Sequence, residues 1–120
     1  MEYKTVEHFF QAAKAQSVEA AVNIANTKTP GDAKRAGRGA TLRTDWDHVR
    51  LDIMRFALRM KFSDPKLRDK LVATDYMYLA EGNTWNDTFW GVDLETGKGE
   101  NNLGMLLMEL RDTLRDGMTL

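Results

Sequence analysis

The sequence has no cysteine, two histidines and two prolines in 120 residues, and no apolar run near the length of a bilayer span. Each shortage removes a class of chemistry. Without cysteine there is no disulfide and no thiolate metal site, a usage that suits a reducing compartment. His8 and His48 alone do not furnish a histidine-rich metal centre, so no metal is expected. Crossing a bilayer takes about twenty consecutive apolar residues, and the opening Met-Glu-Tyr-Lys-Thr lacks the apolar stretch of a secretory signal. The chain therefore reads as soluble and cytoplasmic, with no membrane partner. An excess of one charge is missing too: 17 Lys and Arg face 18 Asp and Glu. No global field draws the protein to nucleic acid or an anionic surface, and any anion site must be local.

What is present is enough for one core. An apolar content of 42% in a chain of this length fills a single domain without a second. Thr5 reads as the N-cap of a first helix that places Val6, Phe9, Phe10 and Ala13 on one face. Ser17 caps a second helix from Val18 to about Ala25, its buried stripe Val18, Ala21, Val22 and Ala25. Thr29-Pro30 opens a third turn that stops at Gly37, leaving Gly37-Arg38-Gly39 as a flexible basic link. The longest helix begins near Asp45, with Trp46, Val49, Ile53, Phe56, Ala57 and Met60 as its stripe. Phe62-Ser-Asp-Pro65 ends it and caps a shorter one in which Leu67 and Leu71 point inward. Tyr76 to Glu81 has strand-like composition, and the last helix runs from about Asn102 to Leu114. Gly117 to Leu120 reads as a loose tail. The fold class is mainly α, an α+β arrangement with one small β element.

Residues able to carry chemistry concentrate between Asp87 and Arg111, where an aromatic pair, a carboxylate and a glycine-rich loop with one lysine precede the last helix. Thr96-Gly-Lys-Gly99 ahead of a helix suits an anion, because N–H groups unpaired at a helix start and the charge of Lys98 both favour it. Its glycine spacing matches neither the dinucleotide fingerprint nor the P-loop, and a plain turn explains it equally simply. Phe89-Trp90 serves as a stacking platform or as core, Asp93 as a functional carboxylate or a solvated turn residue, and Glu7 as a site carboxylate or a helix-dipole partner. Lys14, Lys34, Arg35, Arg38 and Arg43 form the basic set from which a phosphate site would be drawn. His8 is expected to be a partly buried, hydrogen-bonded histidine, and His48 to face solvent.

Five ordered blocks carry the decisive pattern: Thr5-Val-Glu-His-Phe-Phe-Gln-Ala-Ala-Lys14, Thr29-Pro-Gly-Asp-Ala-Lys-Arg-Ala-Gly-Arg38, Leu42-Arg-Thr-Asp-Trp46, Met54-Arg-Phe-Ala-Leu-Arg-Met-Lys-Phe62, and Phe89-Trp-Gly with Gly99, Asn102-Leu-Gly and Leu107-Met-Glu-Leu-Arg111 behind it. In that order they closely resemble the NADAR domain, a family that includes YbiA-like N-glycosidases. The resemblance runs from Tyr3 to about Arg115 and implies a single NADAR-like domain over residues 1–120 with a compact helical fold. It also implies hydrolysis of a ribose C1–N bond, with no cofactor. The implied substrates are a ribosylaminopyrimidine phosphate of riboflavin synthesis or an ADP-ribosyl-base adduct, nucleic acid entering only as the carrier of such an adduct. On this resemblance Glu7 is the catalytic carboxylate and Asp93 a second one at the base edge or leaving nitrogen. Trp90, with Phe89 and Gly91, holds the base, and Lys14, Arg38 and Lys98 take the phosphate. Family members usually carry an N-terminal segment reading like Leu-Ser-Asn-Phe. The chain opens at the Tyr-Lys-Thr-Val-Glu block without it, so a more open pocket is expected, and a non-catalytic module binding ADP-ribose, NAD or a nucleotide is the alternative.

Overall fold

A computed structural model describes residues 3–117, which hold six helices and one two-stranded sheet. The chain divides into two compact units, the first reaching Met60 and the second starting at Lys61.

The first unit is a helical cluster built on small side chains. α1 (Val6–Ala13), α2 (Val18–Ala25) and α3 (Pro30–Gly39) pack around Ala12, Ile24 and Ala33, with Tyr3, Ala15, Ala21, Ala36 and Ala40 against them. Each helix starts where its cap dictates: Thr5, Ser17 and Thr29 side chains accept from the amides of His8, Ala20 and Asp32. α4 (Trp46–Lys61) follows, and its Trp46 packs edge-on to Phe10 with ring centroids 5.3 Å apart. Phe9 bridges Tyr3 and Phe56. The segment after α1 is clasped to the one after α3: Gln16 N–H donates to the Thr41 carbonyl at 2.8 Å and Arg43 N–H to that of Lys14 at 2.8 Å.

Helix positions agree with expectation better than helix faces do. α1 buries Phe10 as expected, but with it His8, Gln11 and Ala12 rather than Val6, Phe9 and Ala13, because its alanine side meets α2 and α3. On α2, Val18 is 80% exposed and Ile24 takes the core position. Phe56 and Met60 of α4 are largely exposed, and Leu58 is buried. The basic link at Gly37–Gly39 does not exist; the helix continues through it to Gly39.

The second unit is organised by α6 (Asn102–Arg115), preceded by α5 (Pro65–Val72), capped by Asp64, and by two short parallel strands, β1 (Gly82–Asn83) and β2 (Val92–Asp93). Tyr76 to Glu81 is not a strand. Its backbone groups are taken by side chains of the last helix and its cap. Asn101 Nδ2 donates to the Leu79 carbonyl at 2.9 Å and its Oδ1 accepts from Glu81 N–H at 2.9 Å. Arg111 Nη1 donates to the Met77 carbonyl at 2.6 Å, and Met108 sulfur accepts from Leu79 N–H. A segment held largely by side chains needs no second strand along its length, and backbone pairing with β2 begins at its end, where the Glu81 carbonyl accepts from Val92 N–H at 2.8 Å. Most of the tail expected from Gly117 onward lies outside the described residues.

Asn101 is 1% exposed and sits in the left-handed region at φ 55°. Asn101→Ala strands the Glu81 and Leu79 backbone groups and puts an unsuited residue at that angle. The expected loss is about 2–4 kcal/mol, read as a lower urea midpoint with an unchanged m-value.

Candidate active site

In the first unit the site grows out of the phase of α1. The Thr5 cap fixes where the helix begins, so Glu7, Gln11 and Lys14 fall at i, i+4 and i+7 along one side. A second latch holds that phase. His8, fully buried, bonds the Thr5 hydroxyl through Nδ1 at 2.7 Å and the Thr27 carbonyl through Nε2 at 2.9 Å. A carbonyl only accepts, so Nε2 carries the proton and Nδ1 accepts from Thr5. His8 is thus the satisfied structural histidine expected, tying the start of α1 to the end of α2, and His48 is exposed.

Glu7 is half-buried, and its Oε1 accepts from Gln11 Nε2 at 3.2 Å. Lys14 stands at the C-cap with its carbonyl committed to Arg43, and its side chain reaches back toward Gly37 of α3. Burial pulls the Lys14 amine below the usual lysine range; the charge of Glu7 works the other way, and those of Lys34 and Arg38 add to the lowering. Glu7, Lys34 and Arg38 therefore all act on Lys14 where α1 meets α3, with Lys34 and Arg38 one turn apart on α3.

The rest of the basic set is engaged elsewhere. Arg35 pairs with Asp32 on the exposed side of α3. Arg43 forks onto Asp45, Nε to Oδ1 at 2.5 Å and Nη2 to Oδ2 at 3.0 Å, and holds that carboxyl below the usual carboxylate range. The cations that act on Lys14 are Lys34 and Arg38, and these three are the ones drawn together where α1 meets α3. Gln11 is the addition to the expected site, and Lys34 comes from the basic set already expected. The signal for Gln11 was present as helical spacing, one turn from Glu7, but only the packing of α3 on α1 shows what it faces.

In the second unit Phe89 and Trp90 stand perpendicular, 87° between planes and 4.8 Å between centroids. The Trp90 backbone is fixed at both ends, its N–H donating to Asp87 Oδ1 at 3.0 Å and its carbonyl accepting from Leu103 N–H at 2.9 Å. Gly91 is buried because a side chain there would strike the Glu81 carbonyl and Asn83. The unpaired amides expected at the start of α6 are in fact paired. Asn101, Asn102 and Leu103 N–H groups donate to the carbonyls of Gly91, Phe89 and Trp90. The loop's case as an anion cradle thereby loses its donors, and Lys98 is an exposed residue whose carbonyl accepts from Asp93 N–H. Asp93 Oδ1 accepts from Glu95 N–H at 2.7 Å, an Asx turn that shapes the loop. Among the described residues no helix is long and apolar enough to cross a membrane, and no group of three His, Asp or Glu is arranged for a metal ion.

Comparison with known proteins then places the chain among relatives. The model of the NADAR domain matches residues 1–115. N-glycosidase YbiA of Escherichia coli is 44% identical over 115 residues, spanning 93% of this chain and 71% of its own length. Riboflavin biosynthesis protein PYRR, chloroplastic, of Zea mays is 37% identical over 125 residues, covering 93% of this chain and 20% of its own. The NMR structure of the E. coli protein YbiA superimposes with a TM-score of 0.83 at 42% identity, over 93% of this chain and 67% of that one.

Lys14 yields a pH prediction. A lysine whose folded value is lowered binds fewer protons folded than unfolded, so folding gains stability as pH rises from that value toward the ordinary lysine range. Lys14→Met removes this gain. Urea unfolding from neutral to alkaline pH is expected to show the parent rising relative to the variant; parallel curves would contradict a desolvated amine.

Proposed function

The chain belongs to the NADAR domain family, and we propose that it is an N-glycosidase hydrolysing the ribose C1–N bond of a phosphorylated riboside, with Glu7 as the working carboxylate. The name of the E. coli relative supports the reaction, and that of the Zea mays relative, a riboflavin biosynthesis protein, supports a substrate from riboflavin synthesis. The observation that carries the reading is at the meeting of α1 and α3: a half-buried carboxylate, Glu7, held by the Gln11 amide, and a part-buried Lys14 on which Glu7, Lys34 and Arg38 all act.

Breaking the C1–N bond leaves the electron pair on the departing nitrogen and positive charge on the sugar. A fixed carboxylate stabilises that oxocarbenium character and then takes a proton from the water that attacks C1. Lys34, Arg38 and Lys14 suit a phosphate in charge and number. Within the second unit, taken by itself, Trp90 is a low-entropy aromatic platform suited to a base because its backbone is clamped at both ends, and the family resemblance makes Asp93 a second carboxylate. Phe89 and Gly91 support Trp90, and Lys98 keeps a subsidiary electrostatic role.

Product detection over a ribosylaminopyrimidine phosphate, an ADP-ribosyl-guanine adduct and NAD tests the proposal. Free base with ribose phosphate is expected from the first. Saturable binding with no product across the panel would instead mark a binding module. Glu7→Gln should lower kcat by about 10³-fold with folding intact, and Arg38→Ala should raise KM for the phosphorylated riboside about 10-fold. An Arg38 variant that loses affinity for phosphorylated and unphosphorylated ribosides alike would count against the phosphate assignment.

The lowered Lys14 favours a second reading of the chemical step. In its unprotonated form the amine is a nucleophile: its nitrogen bonds C1 as the base departs with the electron pair, and the proton that the newly bonded nitrogen sheds passes through the Glu7 carboxylate to the departing base. The sugar ring then opens to an imine, and water releases the aldehyde sugar and restores the amine. Borohydride added during turnover reduces such an imine to a stable secondary amine, so a mass increment on Lys14 supports this route. Unmodified protein with full activity leaves water as the direct nucleophile.

A further inference from the structure

Gln11 is a buried amide whose two ends are treated differently. Its exposure is 4%, Nε2 donates to Glu7 Oε1 at 3.2 Å, and Oε1 is buried without a partner. An orphaned buried acceptor is costly, and leucine or methionine would occupy the same space without one. The planar amide explains why the cost is accepted. Turning it over would satisfy nothing and would set its oxygen against the Glu7 carboxylate, acceptor against acceptor. The donor end is thus fixed on Glu7, and the oxygen must point the opposite way, toward α3.

The second, independent observation is on α3. Gly37 lies within that helix, buried, where glycine weakens helical propensity. A Cβ there would fall 2.0 Å from Gln11 Oε1 and 2.9 Å from Gln11 Cδ. No side chain fits at that position while the Gln11 amide stays where it is. Two locally unfavourable choices, the orphaned amide and the helical glycine, have one common effect: they leave a single N–H aimed at Glu7.

We propose that Gln11 is a positioning residue that orients the Glu7 carboxylate through its Nε2–H, and that Gly37 preserves that orientation by leaving room for the amide. The role rests on Glu7 acting as proposed above. Gln11 touches no reacting atom; it reduces the rotamers open to a half-buried carboxylate and keeps Oε1 engaged, so that the remaining oxygen faces the substrate.

Gln11→Leu removes the donor and the orphan together. Against a ribosylaminopyrimidine phosphate it is expected to lower kcat about 10-fold or more with KM within about 2-fold, while the thermal midpoint holds or rises. Gly37→Ala, whose methyl displaces the amide, should show the same split of kcat from KM, and Gln11→Met carries the test if the leucine protein does not fold. In the parent, the Gln11 side-chain amide resonance should move as the Glu7 carboxylate titrates and should stop moving in Glu7→Gln. Loss of kcat that tracks loss of stability across these variants would make Gln11 merely structural and overturn the proposal. A dead Glu7→Gln beside a fully active Gln11→Leu overturns the positioning role alone, whereas a Glu7→Gln with parental kcat removes the mechanism itself and the positioning role with it.

Discussion

The close approach of α3 to α1 is the constraint on which the first unit depends. Ala12, Ala33, Ala36 and Gly37 present little side chain where the two helices meet, and the space at Gly37 is filled by the Gln11 and Lys14 side chains of α1. The polar side of α1 is thereby drawn into the contact. That is how Gln11 becomes buried, how Lys14 loses water, and how Glu7, Lys34 and Arg38 all come to act on Lys14. The chemistry is a consequence of the packing. A looser pair of helices would leave the same residues solvated, with ordinary mobility and ordinary proton affinities.

In the second unit the organising element is α6, and the device is side-chain to backbone hydrogen bonding. Asn101 and Arg111 satisfy the run from Met77 to Glu81, a task a neighbouring strand would perform in a larger sheet. At its other face the start of α6 donates its amides to Phe89, Trp90 and Gly91. The aromatic pair is therefore mounted on a helix end. Its rigidity comes from groups that a helix start leaves unpaired in any case, so fixing Trp90 adds little new cost.

Local signals were the legible part of the sequence. Thr5, Ser17, Thr29-Pro30 and Asp64-Pro65 each mark a helix start within their own few residues, and the structure begins its helices there. Faces were less legible, because a face is decided by what packs on it. Val18 has the right period for burial but meets solvent, and Ile24 off that stripe reaches the core. Gly37 read as a stop since glycine usually is one; its actual work is steric and involves Gln11, 26 positions earlier in the chain. Tyr76 to Glu81 read as a strand from composition alone, and the partners that make strand pairing unnecessary lie 20 to 34 residues further on. The candidate residues followed the same division. Glu7, Lys14 and Arg38 emerged from the family pattern and Lys34 from the basic set, whereas Gln11 needed the helix contact to show what it faces.

Lys14 is asked to serve two ends that conflict, and the conflict is informative. As a phosphate anchor it must be charged; as a nucleophile it must be neutral. In the unliganded arrangement burial, Lys34 and Arg38 all push it toward neutrality, and Glu7 alone opposes them. A dianionic phosphate seated among the cations would reverse the balance, since it screens Lys34 and Arg38 from Lys14 and adds its own attraction. Binding would then draw a proton onto the amine. If instead the phosphate is held by Lys34 and Arg38 alone, with Lys14 turned toward the sugar, binding draws no proton onto the amine and the proton balance is nearly flat. The number of protons taken up with the ligand therefore separates the two roles without any reference to the rate of reaction.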